Sequence, residues 1–188
     1  MLFRSTADSL LPELLAPVLA GRDAGVLSEA GCPAVADPGA ALVALAHRHG
    51  VSVRPLIGPS SILLALMASG LGGQAFSFAG YLPQQPEARL QAARALEQRS
   101  ARSGETVLMI ETPYRNQALF ETLLSALSGE CRLMVAASLT LPDQTVQTQT
   151  VTAWRARTVV LAKVPTVFGL LAPRAASAHA GRPRARSR

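Results

Sequence analysis

Leu27-Ser28-Glu29-Ala30-Gly31-Cys32-Pro33-Ala34-Val35-Ala36-Asp37-Pro38-Gly39 lies between two apolar runs of different character. Before it stands the short run Ala24-Gly25-Val26-Leu27, and after it comes Ala41-Leu42-Val43-Ala44-Leu45-Ala46, an apolar run of helical period. A strand, a loop of Gly, Pro and small residues, and then a helix form the pattern of an α/β ligand site, because ligands collect beyond the carboxyl ends of parallel strands. The loop 28–39 is therefore the first candidate binding site.

The same syntax recurs once. A helix over 40–49, closed by Gly50, leads to Val51-Ser52-Val53-Arg54-Pro55-Leu56 as a second short strand, and Gly58-Pro59-Ser60-Ser61 then opens an apolar helix over 62–68. The hydroxyls of Ser60 and Ser61 either cap that helix or, with its free amides, hold a ligand carboxylate or ribose. Upstream, Leu10-Leu11, Leu14-Leu15 and Val18-Leu19 predict an amphipathic helix ending near Gly21. Downstream, residues 76–83 predict a strand, and Pro83 and Pro86 mark a domain boundary before a solvent-facing helix over 87–102. Thr106-Val107-Leu108-Met109-Ile110 reads as a buried strand, followed by Glu111-Thr112-Pro113-Tyr114-Arg115-Asn116 and a helix through Leu127. Residues 132–137 form another strand, 138–142 a loop, 145–152 an edge strand with one polar face, and 164–171 the last strand.

Composition narrows the class. The chain has 188 residues, 49% of them hydrophobic, and a mean hydropathy of +0.26, enough for one sizeable domain or two small ones. No apolar run approaches the roughly 20 residues of a membrane span, and residues 1–8 do not read as a signal peptide, so a cytoplasmic protein without membrane attachment is expected. Five arginines and no acid fall in residues 174–188, so the formal charge of +6 drops to +1 without them. The tail, 173–188, is too poor in apolar area to order itself and reads as a disordered basic segment. Cys32 and Cys131 have no metal-ligand spacing with the three histidines and read as reduced packing residues.

Taken in order, Ser28-Glu29-Ala30-Gly31-Cys32-Pro33 with Asp37-Pro38-Gly39, Gly58-Pro59-Ser60-Ser61, Gly80-Tyr81-Leu82-Pro83 and Glu111-Thr112-Pro113-Tyr114-Arg115 resemble the tetrapyrrole-methylase superfamily, in the branch of ribosomal RNA small-subunit methyltransferase I. The resemblance runs from about residue 10 to 172. It implies an α/β, two-domain tetrapyrrole-methylase-like fold, with S-adenosylmethionine bound in the cleft between domains, a homodimer, and methyl transfer to a cytidine ribose 2′-hydroxyl in 16S rRNA of the small ribosomal subunit. It divides the chain into an N-terminal α/β domain over 1–82 and a C-terminal α/β domain over 83–172. Carried over by motif, Ser28, Glu29, Ala30, Gly31 and Pro33 line the methionine side of the cofactor, and Asp37 braces their loop. Ser60 and Ser61 touch the cofactor from the next strand end, and Glu111 and Thr112 close the cleft with Ala137 and Thr166 nearby. Arg115 is the substrate-binding candidate. The first domain lacks the first strand and glycine-rich turn of the family pattern, which is expected to reflect an incomplete or mis-assigned start, or else a degenerate gene product.

The chemistry asks little of acid–base groups, since a sulfonium methyl is already activated and the attack needs alignment within about 3 to 3.5 Å. A ribose hydroxyl is a poor nucleophile, so a base would help. Glu29, Asp37 and Glu111 are the carboxylate candidates, yet Asp37 before Pro38-Gly39 also suits a turn and Glu111 also suits an ion pair with Arg115. No catalytic base is assigned. The other readings are a precorrin-type tetrapyrrole methylase of the same fold, and a truncated, non-catalytic binding or dimerisation module.

Overall fold

Residues 7–174 are described by a computed structural model, except for the side chain of Asp8. The tail beyond Arg174, expected to be disordered, lies outside the described residues. The chain divides into two compact units, Met1–Ser61 and Ile62–Arg188. The boundary expected at Pro83 falls inside the second of them.

In the first unit, helix α1 (Leu11–Leu19) and helix α2 (Ala40–Arg48) share a small core of Leu11, Leu15, Leu45 and Ala46, with Val18, Leu42 and Val51 against it. The i, i+4 spacing of Leu11 and Leu15 puts both on one face, as the sequence periodicity requires. The two strands expected here do not form: neither 24–27 nor 51–56 is part of a β-ladder. The reason is that strand structure is a property of pairs, and among the described residues neither run has a neighbour to bond with. Leu27, Leu56 and Ile57 are accordingly 94%, 92% and 107% exposed.

The second unit is built on one five-stranded sheet. After helix α3 (Ser61–Ser69) come β1 (Phe76–Phe78), α4 (Pro86–Ser103), β2 (Thr106–Glu111), α5 (Asn116–Ala126), β3 (Arg132–Ala137), β4 (Thr145–Thr150), α6 (Val151–Arg155) and β5 (Thr166–Leu171). The sheet order is β1-β2-β5-β3-β4. Only the β1–β2 pair is parallel, and β5 enters antiparallel between β2 and β3. The edge position expected for the Thr/Val/Gln run is where β4 lies. That run is shorter than expected, because Thr150 Oγ1 accepts the Ala153 amide at 3.2 Å and starts α6.

Alternation along the strands sends side chains to two faces. Val107, Met109, Leu133, Phe168 and Leu170 meet Ala93 of α4, Leu119, Phe120 and Leu123 of α5, and Trp154 of α6. Leu108, Met134, Ala136 and Val167 meet Ile62, Ala65 and Leu66 of α3 on the other face. Trp154 fixes α6 by donating Nε1–H to Leu133 O at 2.8 Å and by an edge-on contact with Phe120. Such packing holds the strand ends, and the residues just beyond them, in fixed register.

Candidate functional site

The loop 28–39 keeps a defined shape without belonging to any helix or strand. Ser28 Oγ donates to Ala30 O at 2.7 Å, Val35 N to Cys32 O at 3.2 Å, and Ala34 N to Pro38 O at 3.2 Å. Cys32 Sγ donates to Pro59 O at 3.5 Å, which ties this loop to the Gly58-Pro59-Ser60-Ser61 turn. Two candidate groups from the sequence thus meet within the first unit. Gly31 has φ +77°, and a Cβ built on it meets nothing within 4 Å, so its pro-Cβ face looks onto open space. Ala34 and Ala36 hold φ of +66° and +56°, conformations that L residues adopt at a cost and that collect at binding loops.

The side chains of Ser60, Ser61 and Asp37 are uncommitted among the described residues. Ser60 and Ser61 make no side-chain hydrogen bond among the described residues, so capping α3 does not use their hydroxyls. Asp37 was expected to brace the loop, yet its half-buried carboxylate has no hydrogen bond or ion pair among those residues. Glu29 and Ala30 are exposed, and Pro33 is half-buried.

The second group lies at one end of the sheet. Glu111 of β2 pairs in register with Thr166 of β5, and Thr166 pairs with Ala137 of β3, so the three stand in a row on the face that carries Met109 and Phe168. Glu111 is fully buried at its side chain, and its Oε1 accepts Arg115 Nη2 at 2.6 Å, Arg115 Nε at 3.0 Å and the Thr112 amide at 2.7 Å. Arg115 Nε also reaches Thr112 Oγ1 at 3.2 Å. The short 3₁₀ turn Pro113–Arg115 between β2 and α5 is what folds the guanidinium back onto the carboxylate. Of the two roles open to Glu111, the ion pair is therefore formed, and Oε1 is engaged. Glu111 Oε2 is buried with no partner among the described residues.

Asn116, the first residue of α5, was not singled out from the sequence. Its Nδ2 donates to Val164 O at 2.8 Å and to Thr166 Oγ1 at 3.0 Å, while its buried Oδ1 has no partner among the described residues. A signal for it existed: Asn116 heads the apolar stripe Leu119, Phe120 and Leu123, and a polar residue on a buried stripe calls for a partner. Beyond Ala137 the backbone is again strained, with Ser138 at φ +51° and Thr140 at +72°. Ser138 is buried, and its amide donates to Pro165 O at 3.0 Å. This end of the sheet thus offers two orphaned acceptors beside a row of small side chains.

A shallow cleft of about 340 Å³ between α4 and α5, with Pro86, Arg89 and Thr122 among its lining, takes in none of these residues. Its Arg89 is occupied by Thr122 Oγ1 and Gln84 O. Burial, with Glu97 adding to it, pushes the Cys131 thiol up to about 12, so Cys131 stays protonated and packs as a small apolar residue. No helix among the described residues is long and apolar enough to cross a membrane.

The family described as Tetrapyrrole (Corrin/Porphyrin) Methylases matches residues 6–154, a span that includes the 28–39 loop, Ser60, Ser61, Glu111, Thr112 and Arg115. A protein named Ribosomal RNA small subunit methyltransferase I from Mesorhizobium japonicum is 38% identical over 142 residues, covering 76% of this chain and 47% of that one. One of the same name from Vibrio cholerae is 37% identical over 134 residues, covering 71% and 45%. The chain spans about half the length of the curated relatives it matches. The crystal structure of the methyltransferase CobJ matches with a TM-score of 0.60 at 21% identity, over 94% of this chain and 74% of that one, a likeness of fold. With a family match over more than half of its residues, the chain belongs to the tetrapyrrole (corrin/porphyrin) methylase family.

Proposed function

We propose that this chain carries the methyl-transfer machinery of an S-adenosylmethionine-dependent ribosomal RNA methyltransferase, acting on the 2′-hydroxyl of a cytidine in 16S rRNA of the small subunit. The observation that carries this reading is the 38% identity over 142 residues to a protein named for that activity class. The description of the matched family, Tetrapyrrole (Corrin/Porphyrin) Methylases, is what favours the runner-up, a tetrapyrrole substrate.

The residues present fit the cofactor. The open face of Gly31 and the uncommitted hydroxyls of Ser60 and Ser61 suit the amino-acid portion, with Ser28, Glu29, Ala30, Pro33 and Asp37 completing the loop around it. Within the second unit, Glu111 and Thr112, with Ala137 and Thr166, are the candidate contacts by motif, and Glu111 Oε2 and Asn116 Oδ1 are buried acceptors there without a partner among the described residues. When bound, S-adenosylmethionine supplies a methyl group already activated on a sulfonium. The protein's share is to bind, align and exclude water. Arg115, held by Glu111 and 30% exposed at its side chain, contacts the RNA substrate. The active form is a homodimer, and the site of action is the cytoplasm.

The test is transfer of labelled methyl groups from S-adenosylmethionine to small ribosomal subunits that lack the modification. Incorporation into a 16S rRNA cytidine is expected. Transfer to a precorrin with none to the subunits would contradict the RNA reading.

A further inference from the structure

Tyr114 and Lys163 meet at the corner where β2 passes into α5. Tyr114 lies in the 3₁₀ turn and is 82% exposed, an unusual position for an aromatic side chain in a chain with so few. Lys163, the only lysine in the sequence, places Nζ 5.8 Å from the centre of the Tyr114 ring. Lys163 is exposed and has no carboxylate partner among the described residues. Arg115 next door is neutralised by Glu111, so Lys163 is the unbalanced charge of this corner.

The pairing is held from both sides. Asn116 Nδ2 bonds Val164 O, one residue beyond the lysine. Gln117 bonds the same segment at two further points, with Nε2 donating to Val159 O at 3.3 Å and Oε1 accepting the Leu161 amide at 2.8 Å. The 159–164 segment is thereby fastened to the first turn of α5, and Tyr114 and Lys163 are presented together on a prepared base. A cation–π contact in water contributes little by itself, ~0.5–1 kcal/mol at exposed sites, and it does not explain three hydrogen bonds spent on positioning.

We propose that Tyr114 and Lys163 form a landing platform for single-stranded RNA, with the Tyr114 ring stacking one unpaired base and Lys163 neutralising the phosphate beside it. This rests on the ribosomal RNA reading above. Sequence-specific RNA sites are mostly unpaired segments whose bases stack on aromatic rings, and stacking with an adjacent cation is how single strands are held without base-edge contacts. Neither residue is among the cofactor candidates, so RNA binding and cofactor binding are titrated separately.

The test is fluorescence anisotropy of the full chain with a labelled, unstructured RNA oligonucleotide and, in parallel, with small ribosomal subunits, across a salt series. Tyr114→Ala is expected to weaken binding by about 5- to 150-fold, and Tyr114→Phe to stay within about twofold of wild type. Lys163→Ala is expected to lower the slope of log affinity against log salt by about 0.7, one phosphate contact on a single strand, while Lys163→Arg preserves it. Unchanged affinity for Tyr114→Ala together with an unchanged slope for Lys163→Ala would overturn the platform. A wild-type chain that binds S-adenosylmethionine but neither RNA would instead overturn the RNA reading itself.

Discussion

Gly31 shows how a single residue can separate a functional loop from a structural one. Its φ of +77° disfavours any β-branched residue, and a Cβ there meets no protein atom within 4 Å, so a side chain at this position extends into what the loop leaves free. Gly31→Val is expected to weaken S-adenosylmethionine binding by at least about tenfold, measured by calorimetry; unchanged affinity in a folded variant would show that the loop serves packing alone. The backbone penalty, about 1–3 kcal/mol for a side chain forced into that region, falls on the first unit, and circular dichroism distinguishes it from a cofactor effect. At this scale the sequence was partly legible. Glu111 and Arg115 could be paired from their spacing, while Asn116 escaped because its partners, Val164 and Thr166, are 48 and 50 positions away.

Elements whose identity depends on their own pattern were legible, and those defined by a distant partner were not. The apolar runs at 106–110 and 132–137 form β2 and β3, and the i, i+4 leucines form α1 and α5. Residues 24–27 and 51–56 have the composition of strands and are not strands, since a ladder needs two sides. The insertion of β5 between β2 and β3 is likewise a long-range choice, and it creates a close approach: a Cβ on Gly169 would stand 2.9 Å from Met134 Cε and 3.0 Å from Leu108 Cδ2. Both obstacles are the ends of side chains that can shift, so Gly169→Ala is a mild change, whereas Gly169→Val overpacks the centre of the sheet. Gly169→Val is expected to cost about 1–3 kcal/mol in denaturant unfolding; wild-type stability would mean that this contact is not tight.

For the whole molecule, the division into units matters more than net charge. The second unit carries a complete layered core around its sheet, with helices on both faces. Among the described residues the first holds a core of four buried side chains, with Leu27, Leu56 and Ile57 open to solvent. A large share of the folding free energy therefore comes from burial in the second unit, and cooperative unfolding is dominated by it. Family membership was legible because several short motifs agreed in order, although two of them, at 28–39 and 58–61, follow runs that are not strands in the structure. The unpaired state of the first unit's apolar runs was not, because it depends on which strands are present to meet them. The central claim is that this chain binds the methyl donor of its family. Titration calorimetry of the folded chain with S-adenosylmethionine tests it most directly: saturable binding is expected, and no heat of binding at millimolar cofactor would contradict it.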